Sequence, residues 1–300
     1  MRLLRKPQGE MREHIVKNGD GSDLRFLTFP GFEALEEKGL LRHCFSTREG
    51  GVSKGIYESM DLSFKLGDDL DDVYENFDRL AAVIGTTKDR IVSTDQQHTA
   101  TVIRVTGEDA GKGVTIRPGF DSVDGLVTCE KDLALVVYGS DCVPVMFADP
   151  VREAIGVCHA GWKGTAGRIA QNAVEMMARE FGTDPKDLIC GKWPSVCADC
   201  YEVSEDVAQI FMKEFSGREE EVIKDRYAQG TEMKYKLDLW EANRISLEEA
   251  GVSREKIDIT DICTHCNPDL LFSHRAAGVL RGNNAGLIIM PGKSDTSVLY

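Results

Sequence analysis

Three short segments concentrate reactive side chains: Gln96-Gln97-His98-Thr99, Ser140-Asp141-Cys142-Val143-Pro144 and Cys158-His159-Ala160-Gly161-Trp162-Lys163-Gly164. In each, the reactive residue is expected at a strand end beside a turn, where a rigid scaffold commonly presents functional groups. Two imidazoles and a thiolate suit a borderline-soft ion such as zinc. His98, Cys142 and His159 together would leave a fourth position for water or substrate, which is the catalytic pattern. Zinc there would lower the pKa of water to about 7 and supply a nucleophile at neutral pH. The three residues are far apart in the chain, so their spacing leaves two alternatives open. One is a core cysteine with two hydrogen-bonded histidines; the other is a metal-free Cys142/His159 nucleophilic pair.

Cationic and sulfur groups supply further candidates. Gly161–Arg168 joins a strand to a helix, and its glycines, Lys163 and Arg168 could hold a phosphate or carboxylate. It lacks the spacing of a Walker A loop, and a tight glycine turn explains it equally well. Arg48, beside Gly50-Gly51, is a second anion contact or simply a solvated loop residue. Cys197-Ala-Asp-Cys200 and Cys263-Thr-His-Cys266 have ligand-like spacing and could form a structural four-cysteine zinc site. Nothing in the sequence brings the two pairs together, and reduced core cysteines are the alternative. His265 and His274 read as hydrogen-bonded core residues.

The elements that must position these groups come from periodicity. Val73, Phe77, Leu80, Ala81 and Ile84 recur at helical spacing, with Gly85 as the stop. Residues 43–53 read as a strand running into a glycine turn, and Thr101–Val105 as a strand. Leu133–Tyr138, Val143–Ala148 and Ala154–Cys158 read as buried strands. Ile169, Ala173, Met177 and Phe181 share a helix face. A second helix is expected from Asp238 to Gly251 and a further strand over Ile257–Ile262. Strands and helices mix without regular βαβ alternation, which favours a mixed-sheet α/β or α+β fold over a doubly wound one. No linker divides the chain. Residues 1–30 are expected to be a partly irregular arm or short edge strands, and residues 31–300 a single catalytic domain.

Composition bounds the function. A net charge of −14 argues against gripping nucleic acid or anionic membrane. No apolar run approaches the roughly 20 residues of a membrane span, and the basic N-terminus lacks the apolar stretch of a secretory signal. A cytoplasmic location is therefore expected. The nine cysteines are then reduced core residues, ligands or nucleophiles, not a disulfide framework.

The strings STREGGVSKGIYESMDLSFKLGDD, ENFDRLAAVIG, QQHTATV, DSVDGLVT, SDCVPVMFADP, CHAGWKGT, CYEV and ICTHCNPDLLFSHR occur in this order over about residues 40–290. Together they resemble the laccase-domain family, also called polyphenol oxidase, multicopper polyphenol oxidoreductase, or purine nucleoside phosphorylase of the YfiH type. The resemblance implies a layered αββα fold with mixed sheets and a His/Cys/His zinc site on His98, Cys142 and His159. It implies phosphorolysis of adenosine, inosine, guanosine and methylthioadenosine, together with adenosine deamination. Copper-dependent phenol oxidation and editing of peptidoglycan precursors are the other activities ascribed to members. GKWPSVCADCYEV replaces a GPxIGPCCYEV-like stretch, and LFSHRA replaces FFSYRR, which leaves Arg275 as the basic residue there.

Under this reading a phosphate would attack C1′ with Arg48 and Lys163 as its cationic contacts. Deamination would use a zinc-activated water at C6 of adenine and a carboxylate to shuttle the proton. Asp141 and Asp124 lie in matched motifs, with Asp124 beside the substrate. Strand alternation, however, turns Asp141 away from Cys142. Zinc is the expected cofactor and copper the alternative occupant. A true multicopper site needs clustered histidines, and the chain has only six. A metal-free hydrolase and a non-enzymatic nucleoside- or metal-binding protein remain alternatives. The expected partners are small molecules, purine nucleosides and phosphate; oligomeric state is not legible.

Overall fold

The computed structural model describes residues 3–7, 9 and 11–292. Residues 1, 2, 8 and 10 of the expected arm, and 293–300 of the expected domain, lie outside the described residues. Two six-stranded sheets form the centre. The first runs in the order β1 (Arg12–Lys17), β2 (Asp23–Thr28), β3 (Arg42–Ser46), β15 (Asn284–Ile289), β7 (Ala134–Gly139), β4 (Ile91–Val92). The second runs β14 (Ile257–Ile259), β10 (Ile189–Lys192), β8 (Val143–Asp149), β9 (Ala154–Ala160), β6 (Gly125–Thr128), β5 (Val102–Arg104). Each sheet mixes pairings: β4 with β7, β5 with β6 and β10 with β14 are parallel, and the remaining ladders antiparallel.

Strand alternation explains how the sheets are layered. On β7, Leu135 and Val137 face a core shared with Met146 and Ala148 of β8 and Ile155 and Val157 of β9. Ala134 and Val136 face the opposite way, toward Phe77 and Leu80. These last two lie on helix α2 (Leu70–Val83), whose first turn is capped by the Asp69 carboxylate. On β8, Val143, Val145 and Phe147 face helices α4 (Ile169–Phe181) and α7 (Leu239–Glu249). Both faces of the central strands are covered, so these strands read as nearly continuous apolar runs. The result is helix, sheet, sheet, helix, a mixed α/β fold. Helices α1 (Pro30–Glu36), α3 (Trp162–Ala166), α5 (Glu205–Glu214), α6 (Glu219–Val222) and α8 (His274–Ala277) complete the described helices.

Residues 12–28 pair into the first sheet as β1 and β2, so the sheet continues across the expected boundary at residue 30. A third sheet, β11 (Glu202–Ser204), β13 (Glu232–Leu237) and β12 (Ile223–Gln229), was not foreseen from periodicity. The strand expected over 257–262 stops at Ile259. No helix among the described residues is long and apolar enough to cross a membrane.

Trp193 joins the layers. Its fully buried indole stacks on Phe45 of β3 at 5.4 Å and tilts against Phe29 at 4.6 Å. Its Nε1 has no hydrogen-bond partner among the described residues. Trp193→Ala should cost about 3–5 kcal/mol in urea unfolding through the cavity it leaves. Trp193→Phe should cost clearly less, because it also removes the unpaired buried N–H. Equal losses in the two variants would show that ring volume is not what this position contributes.

Candidate metal centre

The register of the second sheet sets the site. Val143 of β8 opposes Ala160 of β9, and Gly125 of β6 opposes Cys158. Extending these ladders by one residue sets Cys142 against Gly161 and Asp124 against His159. Alternation then turns the side chains of Cys142, Asp124 and His159 toward the seam between the two sheets. His98 arrives from the connection between β4 in the first sheet and β5 in the second.

Asp124 fixes both histidines. Its carboxylate, almost wholly buried, accepts His159 Nδ1–H at 2.8 Å. It also accepts the backbone N–H groups of Gln97, His98 and Thr99 and the Thr99 hydroxyl, at 2.8–3.0 Å. The turn this creates holds Gln96 and His98 in left-handed conformations, at φ of 33° and 62°. Three converging N–H donors make that strained turn affordable. With Nδ1 of His159 committed to Asp124, Nε2 is the nitrogen that faces Cys142, the carboxylate–histidine arrangement of zinc sites.

The donor atoms converge. The ligating atoms of His98, Cys142 and His159 all lie within 4.8 Å of one another. Cys142 Sγ is 3.7 Å from His98 Nε2. A tetrahedral zinc with ordinary Zn–S and Zn–N bonds requires about 3.6 Å between such a pair. The two rings meet nearly edge to face, at 76° and 4.8 Å between centroids. Gly161 makes room for them: a Cβ there would sit 2.6 Å from His98 Cδ2 and 3.0 Å from Cys142 Sγ.

Electrostatics suit a thiolate. Burial opposes ionisation of Cys142, but the positive charge of His159 and hydrogen bonds to both histidines outweigh it and bring the thiol down to about 6. Burial likewise opposes protonation of His159, and the Cys142 thiolate and Asp124 raise it to about 9. Asp124 is held well below the usual carboxylate range, since the His159 and backbone hydrogen bonds overcome its burial.

Other expected site residues lie elsewhere. Asp124, expected beside the substrate, is not among the residues that line the cavity, and its oxygens are taken by His159 and the 97–99 turn. Asp141 lies in the bend before β8, at a left-handed φ of 101°, so the strand expected there begins only at Val143. The Asp141 carboxylate accepts from the Thr264 and Ser273 hydroxyls and the Arg275 backbone N–H. Arg48 is committed to the Glu58 and Pro268 carbonyls and lies over the Phe272 ring. Lys163 is exposed on α3, 5.5 Å from the ring of its neighbour Trp162. Arg168 pairs with Glu214 and Glu249. Arg275 donates to the Glu202 carbonyl and lies over Tyr201.

His98, Cys142 and His159 instead border a cavity of about 200 Å³ whose lysine and arginine side chains are Lys65, Arg117 and Arg281. Arg117 lies 4.6 Å over the Phe64 ring, and Lys65 pairs with Asp95 at 3.1 Å. Arg281 donates from NH1 to the Gly282 carbonyl, while its buried Nε has no partner among the described residues. Asp95 is the only carboxylate among the described lining residues. Beneath the Leu62–Leu66 wall, Asp61 is fully buried and accepts the backbone N–H groups of Ser63 and Asn283. Burial outweighs these bonds and pushes its carboxyl up to about 7.

Residues 42–291 match the family described as multi-copper polyphenol oxidoreductase laccase. The chain belongs to that family. A relative named purine nucleoside phosphorylase YlmD, from Bacillus subtilis, is 35% identical over 77% of this chain and 82% of its own. A protein named adenosine deaminase RL5, from an unknown prokaryotic organism, is 32% identical over 79% of this chain and 90% of its own. Among solved structures, the Bacillus licheniformis protein YfiH superposes with a TM-score of 0.81 at 30% identity, covering 88% of this chain and 96% of that one.

Two outcomes test this geometry. Asp124→Asn should weaken zinc binding about 10–100-fold in a competition titration, because it disturbs the tautomer of His159 and the turn that carries His98. Unchanged affinity would show that the histidines are held by packing alone. Asp61 has a folded value above its unfolded one, so its contribution to stability is intact in acid and declines as pH rises from about 4 to about 7. Asp61→Asn should remove this decline, gaining on the order of 2–4 kcal/mol relative to the parent between pH 4 and pH 8 in urea titrations. Parallel curves for the two proteins would refute it.

Proposed function

We propose that this chain is a zinc-dependent purine nucleoside phosphorylase with adenosine deaminase activity. One observation carries the reading. The His98–Cys142–His159 donors open onto a cavity that also carries an aromatic ring, Phe64, and guanidinium groups, Arg117 and Arg281. Two imidazole nitrogens and a thiolate at tetrahedral spacing fit zinc, and leave a position for substrate. Zinc, when bound, supplies Lewis-acid polarisation of a substrate oxygen or nitrogen and lowers the pKa of water.

The chain's own residues supply the rest. Phe64 stacks on Phe77 and carries Arg117 over its ring, and the guanidinium plane of Arg117 offers a face on which a purine can stack. Arg281, with a buried Nε unspent on protein partners, replaces Arg48 and Lys163 as the phosphate contact. In phosphorolysis a phosphate oxygen bonds to C1′ while the bond from C1′ to the base breaks, and the guanidinium groups hold the phosphate charge at the sugar. In deamination Asp95 carries a proton between attacking water and departing ammonia.

The thiolate-favouring surroundings of Cys142 support a second reading, a metal-free cysteine hydrolase with His159 as the charge partner. Chelation separates the two. The zinc enzyme loses turnover and regains it with added zinc. The cysteine hydrolase survives chelation and is stopped by iodoacetamide at Cys142.

Mass spectrometry of products from adenosine, inosine and methylthioadenosine, with and without phosphate, tests the main reading. Free base with ribose-1-phosphate is expected from inosine, and inosine from adenosine; no product from any purine nucleoside would overturn the proposal. Arg281→Ala should lower kcat/KM for phosphorolysis about 10²-fold or more while deamination, which needs no phosphate, falls far less. Asp95→Asn should show the reverse preference, with deamination lowered about 10²–10⁴-fold. Equal losses in both reactions would remove these role assignments.

A further inference from the structure

Away from this centre, the two CxxC pairs meet. Cys197 and Cys200 precede β11, and Cys263 and Cys266 follow β14; a parallel bridge between Ser195 and Cys263 lays the two loops side by side. The four sulfurs lie within 4.8 Å of one another, with Cys200 and Cys266 Sγ 3.5 Å apart. An ion held tetrahedrally by four thiolates at about 2.3 Å requires sulfur–sulfur separations of about 3.8 Å. A disulfide requires about 2.05 Å.

A backbone donor and a cation lie against the cluster. The Cys200 N–H donates to the Cys197 carbonyl at 3.0 Å and closes the turn that carries the first pair. The Cys197 N–H also donates to Cys263 Sγ at 3.3 Å. Lys6, held by Asp199 at 2.7 Å, adds a positive charge that acts on Cys197 and Cys266. Donors and cations of this kind commonly accompany thiolate ligands.

We infer that Cys197, Cys200, Cys263 and Cys266 form a closed tetrathiolate site for a structural zinc ion, separate from the His98–Cys142–His159 centre. Four protein ligands leave no open position, so the ion's part is to fix structure. It ties two loops that also hold the residue next to Cys142. The Val196 N–H donates to the Asp141 carbonyl at 3.0 Å, and the Thr264 hydroxyl, between the second pair of cysteines, donates to the Asp141 carboxylate at 2.6 Å. The backbone leading into Cys142 is thus braced from the cluster. Arg5, paired to Ile262 through a backbone bridge, and Leu4, hydrogen-bonded to Asn267, dock the N-terminal segment on the same loop.

The full-length Cys142→Ser variant, which lacks a ligand of the first centre, isolates the cluster. After incubation with zinc under reducing conditions and dialysis, it should keep about one tightly held zinc. X-ray absorption should then show four sulfur neighbours at about 2.3 Å. Native mass spectrometry of the parent chain, with zinc in both sites, should give one zinc more than a Cys200→Ser/Cys266→Ser variant. A Cys142→Ser protein without zinc and with four freely titrating thiols at these positions would overturn the proposal. So would a native mass lower by the hydrogens of two disulfides, or a zinc with nitrogen and oxygen neighbours. Should either variant fail to fold, the parent chain decides alone: after the same zinc loading and dialysis, two tightly held zinc ions with more than two sulfur neighbours per zinc on average support the site, and a zinc shell with no more than one sulfur, or no zinc at all, overturns it. Catalytic failure of the first centre leaves each of these readouts intact.

Discussion

A single buried carboxylate sets the geometry on which the candidate site depends. Asp124 ends the ladder between β6 and β9, so its backbone position follows from the sheet, and its side chain then dictates where two histidines can be. One imidazole is oriented through its Nδ1–H; the other is carried on a turn whose N–H groups the same carboxylate gathers. Isolated ionised groups are too costly to bury, and this one is retained because its hydrogen-bonding capacity is filled. The cysteine needs no such device, since the neighbouring ladder between β8 and β9 places it directly.

The donors therefore converge from unlike sources. Cys142 and His159 come from adjacent strands of one sheet, while His98 comes from a connection that passes between the sheets. Layering supplies the depth, and the seam between the two sheets ends in the cavity. Gly161 is the residue without a side chain at the point where strand, sulfur and imidazole come closest. Adding even a methyl group there would press on two donors at once.

Much of this was legible in the chain because apolar alternation is strong where both sheet faces are buried. Leu133–Tyr138, Val143–Ala148 and Ala154–Cys158 read correctly as strands, and the Val73–Ile84 and Ile169–Phe181 periodicities as helices. The third sheet was illegible because β12 and much of β13 are polar and exposed, as in Ile223–Gln229 with Lys224, Asp225 and Arg226 on the surface. Ligand chemistry nominated His98, Cys142 and His159, and the resemblance to the family narrowed the alternatives. The cations are a different case. Arg48 and Lys163 stand in distinctive glycine-rich strings, yet the folded chain spends Arg48 on carbonyl groups and leaves Lys163 on the surface. Arg117 and Arg281 sit in undistinguished loops, and only the tertiary packing brings them to the cavity. For the two CxxC pairs, local spacing was informative and their meeting across more than sixty residues was not.

The placement of β15 has a consequence for how the molecule is made. This strand, far beyond both neighbours in sequence, lies in the middle of the first sheet between β3 and β7. Until Asn284–Ile289 have left the ribosome, that sheet exists only as two unjoined halves. Its inner apolar surface must meanwhile stay shielded by other means. Pairing of partners so distant in sequence closes late and slowly. The nascent protein thus passes through a period in which its second sheet can already be assembled while the facing layer is still open along its centre.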